Sequence, residues 1–320
     1  MDLNTAPPQI KVIGDAVVDH FISIPDEYVE TYCNLNDHTC ELSIPYGAKI
    51  PVGDVQMMLG GNAANVSVAL KRMGVTVMPV IPLGENSLSV FAQDKLRYEG
   101  LTNDPANIQD SYGCNSSYIL RYSGERTIFS HHVTKSYDLL EEVITPYVYL
   151  STHSADNTSF STEVLLHTSV NHAKLLFAPG NTQIKGDTEI LEALIIKSEL
   201  VSCNRSEAFD ILKKIDGEEM DIVKMMHRFA HLGVKKVVIT DGANGVNFFN
   251  SETEETGHLP SEINPAEIVD TTGAGDALCS GIIYSLIKNM TLSDGVKLGL
   301  KNSSSVLKAI GAQTGLIRMG

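Results

Sequence analysis

The sequence predicts an α/β fold: a mainly parallel central sheet with helices on both faces, and a small second β-sheet beside it. Three observations point there. Short apolar runs that end at glycine alternate with helix-length segments along most of the chain, the pattern of strands joined by right-handed helical crossovers. Two β-rich stretches, about 18–56 and 112–133, interrupt that alternation and are expected to pair in space. No internal repeat, low-complexity run or linker divides residues 1–320, so the chain reads as a single domain.

The elements follow in order. QIKVIGDAVVDHF opens with an apolar run up to Gly14, which suits a strand buried on both faces. Residues 33–58 carry Pro45, Gly47, Pro51 and Gly53 and read as irregular. GGNAANVSVALKRMG then turns helical. Ala64, Val68 and Met73 share a stripe, and Gly74 stops the helix just after Lys71 and Arg72. VTVMPVIPLG is the next strand, and NSLSVFAQDKLRYEG the next helix, closed by Gly100. SSYILRYSGERTIFSHH reads as a hairpin turning at SGE. YVYLST, KLLFAPG, ELVSCN and KKVVITDG are short strands, with helices such as STEVLLHTSVNH and EMDIVKMMHRFAHLG between the later ones. GDALCSGIIYSLIKNM, from Gly275, is a long apolar helix.

Composition narrows the function. Twenty-four Lys and Arg against 39 Asp and Glu give 24 − 39 = −15. Such a surface repels nucleic-acid backbones, so no nucleic-acid partner is expected. No run of eighteen apolar residues occurs, so no membrane span is expected. MDLNTAPPQIKVIGD lacks the basic-then-apolar pattern of a secretory signal. The five cysteines (Cys33, Cys40, Cys114, Cys203, Cys279) are odd in number and lack CxxC spacing. They are expected to be reduced thiols of a cytoplasmic protein. The histidines form no HExxH and are read as structural or surface residues.

The chemistry concentrates in IVDTTGAGDALCSG, residues 268–281. A phosphate-binding P-loop needs GxxxxGK[ST], which is absent. A dinucleotide fingerprint needs a third glycine where Leu278 stands. What remains is an anion hole at a helix start. The first N–H groups of a helix have no partner within it and point outward with the positive end of the dipole. Asp276 then invites two readings. As a first-turn carboxylate it suits a helix cap. Beside a phosphate it repels its ligand unless it takes a proton from an attacking hydroxyl.

Two segments carry a family resemblance. GGNAANVSVALKRMG resembles the first signature of the ribokinase (PfkB) carbohydrate kinases, and DTTGAGDALCSGIIYSL resembles the second. They occur in the family's order and spacing, and the similarity extends along the chain. The resemblance implies a ribokinase-like three-layer α/β/α sandwich whose two β-rich insertions form a lid. It implies transfer of the γ-phosphoryl of ATP to a hydroxymethyl group of a sugar, with Asp276 as base and the amides of Gly273, Ala274, Gly275 and Asp276 as anion hole.

The remaining roles come over residue by residue. Asp19 matches the family's acceptor-binding aspartate, while nearby Asp15 reads as a turn cap. Gly60, Gly61 and Asn65 would line the acceptor, though Asn65 also suits a first-turn cap. Asn204 and Glu207 in SCNRSEAF resemble the element that holds Mg2+ and phosphate through water, and the same spacing makes a capping box. Thr240, Gly242 and Gly245 in VVITDGANG resemble the triphosphate and ribose contacts, and Asn302 falls where the family lines the adenine pocket. Asp270 and Thr272 resemble the monovalent-cation site, for K+, of many members. The lid of such kinases often forms a homodimer interface.

Val17 and Asn62 replace an asparagine and a lysine of ribokinase itself, which puts ribose in doubt. HTCELSIPYGAKIPV lengthens the first insertion, and its Tyr46, Ile50 and Val52 are placed to cover an apolar base, as in the nucleoside kinases. Lys49, Arg121 and Arg126 read as exposed edge charges of the lid. A nucleoside kinase of the adenosine, cytidine or inosine type is therefore the alternative. A non-catalytic sugar or nucleotide sensor on the same fold is the alternative from another class.

Overall fold

The computed structural model describes residues 7–34, 39–102, 107–109, 113–122, 125–154, 157–217 and 221–319. Strand β1 (Ile10–Ile13) is buried along its whole length. Residues 14–16 alone separate it from β2 (Val17–Ser23). Strands β3 (Glu30–Asn34) and β4 (Thr39–Ser43) then pair antiparallel, and β5 (Val55–Gly60) pairs antiparallel with β2. The stretch 33–58 is thus not irregular throughout. Its Pro45, Gly47, Pro51 and Gly53 all fall between β4 and β5, where they interrupt no strand.

Helix α1 (Asn62–Arg72) starts at Gly61 and gives way to Gly74 at φ 82°. Strand β6 (Val77–Val80) leads to α2 (Ser87–Tyr98), whose Asn86 cap accepts from the Ser89 amide at 2.8 Å. Strands β7 (Asn115–Tyr122) and β8 (Glu125–His131) form the expected hairpin, whose turn residues 123–124 lie outside the described residues. The alternation resumes with β9 (Tyr147–Leu150), α3 (Asn157–Val170), β10 (Lys174–Phe177), α4 (Asn181–Lys185) and α5 (Thr188–Lys197). Next come β11 (Ser198–Asn204), α6 (Arg205–Asp216), α7 (Ile222–His231) and β12 (Lys236–Thr240). The chain closes with the hairpin β13 (Val246–Asn250) and β14 (Glu255–Leu259), then α8 (Ala274–Ile287) and α9 (Leu292–Leu307).

The main sheet runs β14-β13-β12-β11-β10-β9-β1-β6. Its six strands from β12 to β6 are parallel, and the β13–β14 hairpin adds an antiparallel edge. Alternate residues of each strand enter opposite cores, as the pleat requires. Val12 joins Ala64, Val68, Ile282 and Val296 on one face, and Ile13 joins Phe160, Leu194, Ile211 and Phe229 on the other. Burying one such side chain contributes about 1.5–3 kcal/mol. Helix, sheet and helix make three layers. A second sheet, β5-β2-β7-β8, is built from the two β-rich segments.

The cysteines depart from expectation. Cys33 and Cys40 face each other across β3 and β4, with Cα atoms 4.1 Å apart, and are joined as a disulfide. Spacing alone could not show this, because the pairing follows from the hairpin register. Cys114, Cys203 and Cys279 are free and buried. Among the described residues no helix is long and apolar enough to cross a membrane.

Candidate active site

The C-terminal ends of the parallel strands meet the start of α8. Gly273 precedes that helix at φ 76°, and a Cβ there would come within 2.3 Å of Ala312 Cβ. Both facts require glycine: the left-handed backbone is strained for other residues, and there is no room for a side chain. The turn aims the helix N-terminus at a cavity of about 480 Å3. Ala274 and Gly275 line it, together with Thr240 at the end of β12 and Gly242 and Gly245 beyond it. Among the described residues no acceptor is found for the amides of Gly275 and Asp276.

Asp276 does not cap its own helix. Its Oδ1 accepts from Asn62 Nδ2 and its Oδ2 from Asn65 Nδ2, each at 2.8 Å. The capping reading therefore fails: the carboxylate reaches across to the first turn of α1. Burial raises its pKa to about 6 against the pull of the two amides. A carboxylate that titrates near neutrality is suited to exchanging a proton there.

Asp19 sits on β2, 6% exposed, with its carboxylate against the backbone of Gly60. A Cβ at Gly60 would stand 2.1 Å from Asp19 Oδ2, so a side chain there would expel the carboxylate. Burial raises the Asp19 pKa to about 7; the Ser117 side chain opposes that rise and the charge of Asp270 adds to it. Gly61 caps α1 directly after. Asp19, Gly60, Gly61, Asn62 and Asn65 thus gather where the second sheet joins the main domain.

Asp15 is no simple turn cap. Buried at 4% exposure, it accepts from Tyr137 Oη at 2.5 Å and from Ser154 Oγ, with Lys135 Nζ at 3.8 Å. Asn204 and Glu207 form the expected capping box at the start of α6, each backbone amide donating to the other's side chain at 2.9 Å. Burial raises the Glu207 pKa, and the charge of Asp276 adds to the rise.

Asn302 faces away from the cavity. Its Nδ2 donates to the Ala277 carbonyl at 2.9 Å and to Ser280 Oγ at 3.1 Å, while its Oδ1 accepts from the Ile317 amide at 3.0 Å. It clips α9 to α8, and Ser303 and Ser304 line the cavity instead. Asp270 and Thr272 are committed to local contacts. Asp270 Oδ1 accepts from the Thr272 amide at 3.1 Å and hydroxyl at 2.8 Å, and Oδ2 accepts from Gly311 N at 2.9 Å. Arg126 Nη1 stands 4.0 Å from the same carboxylate and donates to Thr271 Oγ1. Asp270 and Thr272 are thus not free side chains, and Arg126 supplies the positive charge beside this carboxylate. Arg126 is not a free edge charge either; it ties β8 to the turn before α8.

Residues 27–318 match the model of the pfkB family of carbohydrate kinases. The chain belongs to that family. An ATP-dependent 6-phosphofructokinase of Thermoanaerobacterium thermosaccharolyticum is 27% identical over 85% of each chain. A cytidine kinase of Thermococcus kodakarensis is 35% identical over 38% of this chain and 42% of its own. Among solved structures, ribokinase from Thermotoga maritima superposes with a TM-score of 0.75 at 19% identity, covering 97% of this chain and 96% of its own. The fold is therefore ribokinase-like, and the pfkB chain is an ATP-dependent carbohydrate kinase in its reaction class.

Sequence reasoning met Asn62 only as a departure from ribokinase and gave it no role beside Asp276, and it missed Gln313, which lies 248 residues from the Asn65 it contacts at 3.0 Å.

Proposed function

We propose that this kinase moves the γ-phosphoryl of ATP to a hydroxymethyl group of a sugar, with Asp276 as general base. One observation carries the reading: Asp276 directly follows the cavity-lining Gly275, whose amide has no acceptor among the described residues, and its carboxylate is held by another helix rather than spent on its own. The acceptor hydroxyl gives its proton to the Asp276 carboxylate as its oxygen bonds to the γ-phosphorus. The bond from that phosphorus to the β-phosphate oxygen breaks, and ADP leaves with the electron pair. The amides of residues 273–276 meet the charge on the migrating group, where one such donor contributes about 3 kcal/mol.

Thr240, Gly242 and Gly245 flank the nucleotide. Glu207 Oε2 is used by the capping box, which leaves Oε1 for a water of Mg2+. A site with few protein ligands suits that ion, which keeps several waters and takes the rest of its shell from phosphates. When bound, Mg2+ neutralises phosphate charge. Asp19 binds acceptor hydroxyls, so affinity for the acceptor falls as pH drops through about 7. Tyr46 and Val52 are exposed and Ile50 is half-buried, so their apolar side chains keep a nucleoside as the alternative acceptor. The second sheet closes over the sugar as a lid. Its outer face exposes Val55, Met57, Tyr118 and Phe129, the surface on which a second copy would pair.

The test is ADP release with ATP, Mg2+ and a panel of ribose, fructose, fructose 6-phosphate, ketodeoxygluconate, adenosine, cytidine and inosine. Turnover on a sugar supports the reading, and turnover on nucleosides alone overturns the acceptor assignment. Asp276→Asn should lower the rate by about 10²- to 10⁴-fold with ATP binding retained. Ligand-induced thermal stabilisation without turnover on any compound would favour a sensor.

A further inference from the structure

The Asp276 carboxylate is held unequally on its two sides. On the Oδ2 side, the donor Asn65 is 3% exposed, and its own Oδ1 accepts from Gln313 Nε2 at 3.0 Å. That contact fixes which end of the Asn65 amide faces Asp276, since an oxygen turned toward the carboxylate would repel it. Gln313 is anchored in turn: its carbonyl accepts from Arg72 Nη1 at 2.5 Å, and Arg72 pairs with Glu99 at 2.5 Å. On the Oδ1 side, the donor Asn62 is exposed. Among the described residues its side chain has no other hydrogen bond.

We propose that Gln313 and Asn65 are a fixed positioning pair that locks Oδ2 of Asp276, and that Asn62 is a replaceable guard on Oδ1, the oxygen that receives the acceptor's proton. The assignment rests on the reading of Asp276 as base. It explains why the two amides differ so much in burial although their bonds to Asp276 are equal in length. A buried relay keeps one carboxylate oxygen fixed while substrate displaces the partner of the other. The clamp also sets the acidity of the base, because amide donors favour the charged carboxylate over the neutral acid.

The titratable groups around Asp276 are Cys279 on α8, Tyr149 on β9 and Glu207 on α6. Burial pushes the Cys279 thiol up to about 12 and the Tyr149 phenol well above its ordinary value, so both stay neutral through the range of interest. Burial raises the Glu207 pKa as well, and a Glu207→Gln background removes its influence.

The experiment is carbon-13 NMR of the full chain labelled at aspartate carboxyls. The Asp276 signal is identified by its loss in Asp276→Asn and titrated without ligand in wild type, Asn62→Ala, Asn65→Ala and Gln313→Leu. A wild-type midpoint near 6 is expected. Each Asn variant should raise it by about one pH unit, the equivalent of one lost charge-assisted hydrogen bond. Gln313→Leu, which does not touch Asp276, should raise it by about half as much on the same basis. Midpoints unchanged in Asn62→Ala and Gln313→Leu would overturn the proposal, and those two variants suffice if the buried Asn65→Ala does not fold. The titration needs no substrate, so its failure is separable from that of the base reading, which falls if Asp276→Asn retains turnover.

Discussion

Asp276→Asn should make the protein more stable while it removes activity. The wild-type carboxyl has a pKa of about 6 in the fold against an ordinary 3.8. At about 1.4 kcal/mol per pH unit, keeping it ionised at neutral pH costs the native state up to ~3 kcal/mol. Asparagine carries no charge to desolvate. It still accepts from Asn65, but its own amide nitrogen then meets the Asn62 donor, and exposed Asn62 swings away at a loss of about 1 kcal/mol. The net gain is ~1–2 kcal/mol, or about 2 °C in melting temperature for a chain of this size. The sign follows from linkage. The folded pKa lies above the unfolded one, so the wild type has its full stability from this group below about 4 and loses it as pH rises through about 6. Melting temperatures of both proteins at pH 4.5 and pH 7.5 provide the assay. The advantage of Asp276→Asn should be largest at pH 7.5 and shrink at pH 4.5. A variant less stable than wild type at pH 7.5, or an advantage that ignores pH, would refute the account of the buried charge.

Further outcomes follow from other contacts. Gly273→Ala forces a side chain into Ala312 at an unfavourable φ. It should raise KM for ATP and cut kcat by at least about tenfold, with ~1–3 kcal/mol of stability lost, as steady-state kinetics and denaturant unfolding would show. Asn302→Ala removes three hydrogen bonds, two of them buried, between α9, α8 and the C-terminal segment. It should cost ~2–3 kcal/mol on unfolding while KM for ATP stays within about threefold, since the side chain faces away from the cavity. Alkylation of the denatured, unreduced protein should modify Cys114, Cys203 and Cys279 and spare Cys33 and Cys40, a mass-spectrometric count.

The three-layer fold was legible because strand and helix periods are local properties. Val12 and Ile13 enter opposite cores, as a strand buried on both faces requires. The turn at Gly273 was legible for a similar reason, since a glycine-rich approach to an apolar helix is a contiguous pattern. What failed depended on register or on helix face. The Cys33–Cys40 pair needed the β3–β4 register. Asn302 neighbours the cavity-lining Ser303 and Ser304, yet one residue along a helix turns the side chain to another face. The Asn65–Gln313 contact joins the start of α1 to the C-terminal segment, a pairing that only the complete fold brings about.

The junction between the two sheets has a consequence for how such a catalyst can change. Residues 14–16 lead from β1 into β2, Gly61 alone separates β5 from α1, and Val17 pairs with Gly60 across that seam. Asp19 lies just beyond one crossing and Asn62 just beyond the other. Any tilt of the smaller sheet therefore moves Asp19, proposed to bind the acceptor, together with Asn62, proposed to guard Oδ1 of Asp276. Selectivity altered at this seam carries turnover along with it, whereas change confined to β7 and β8 leaves both tethers in place.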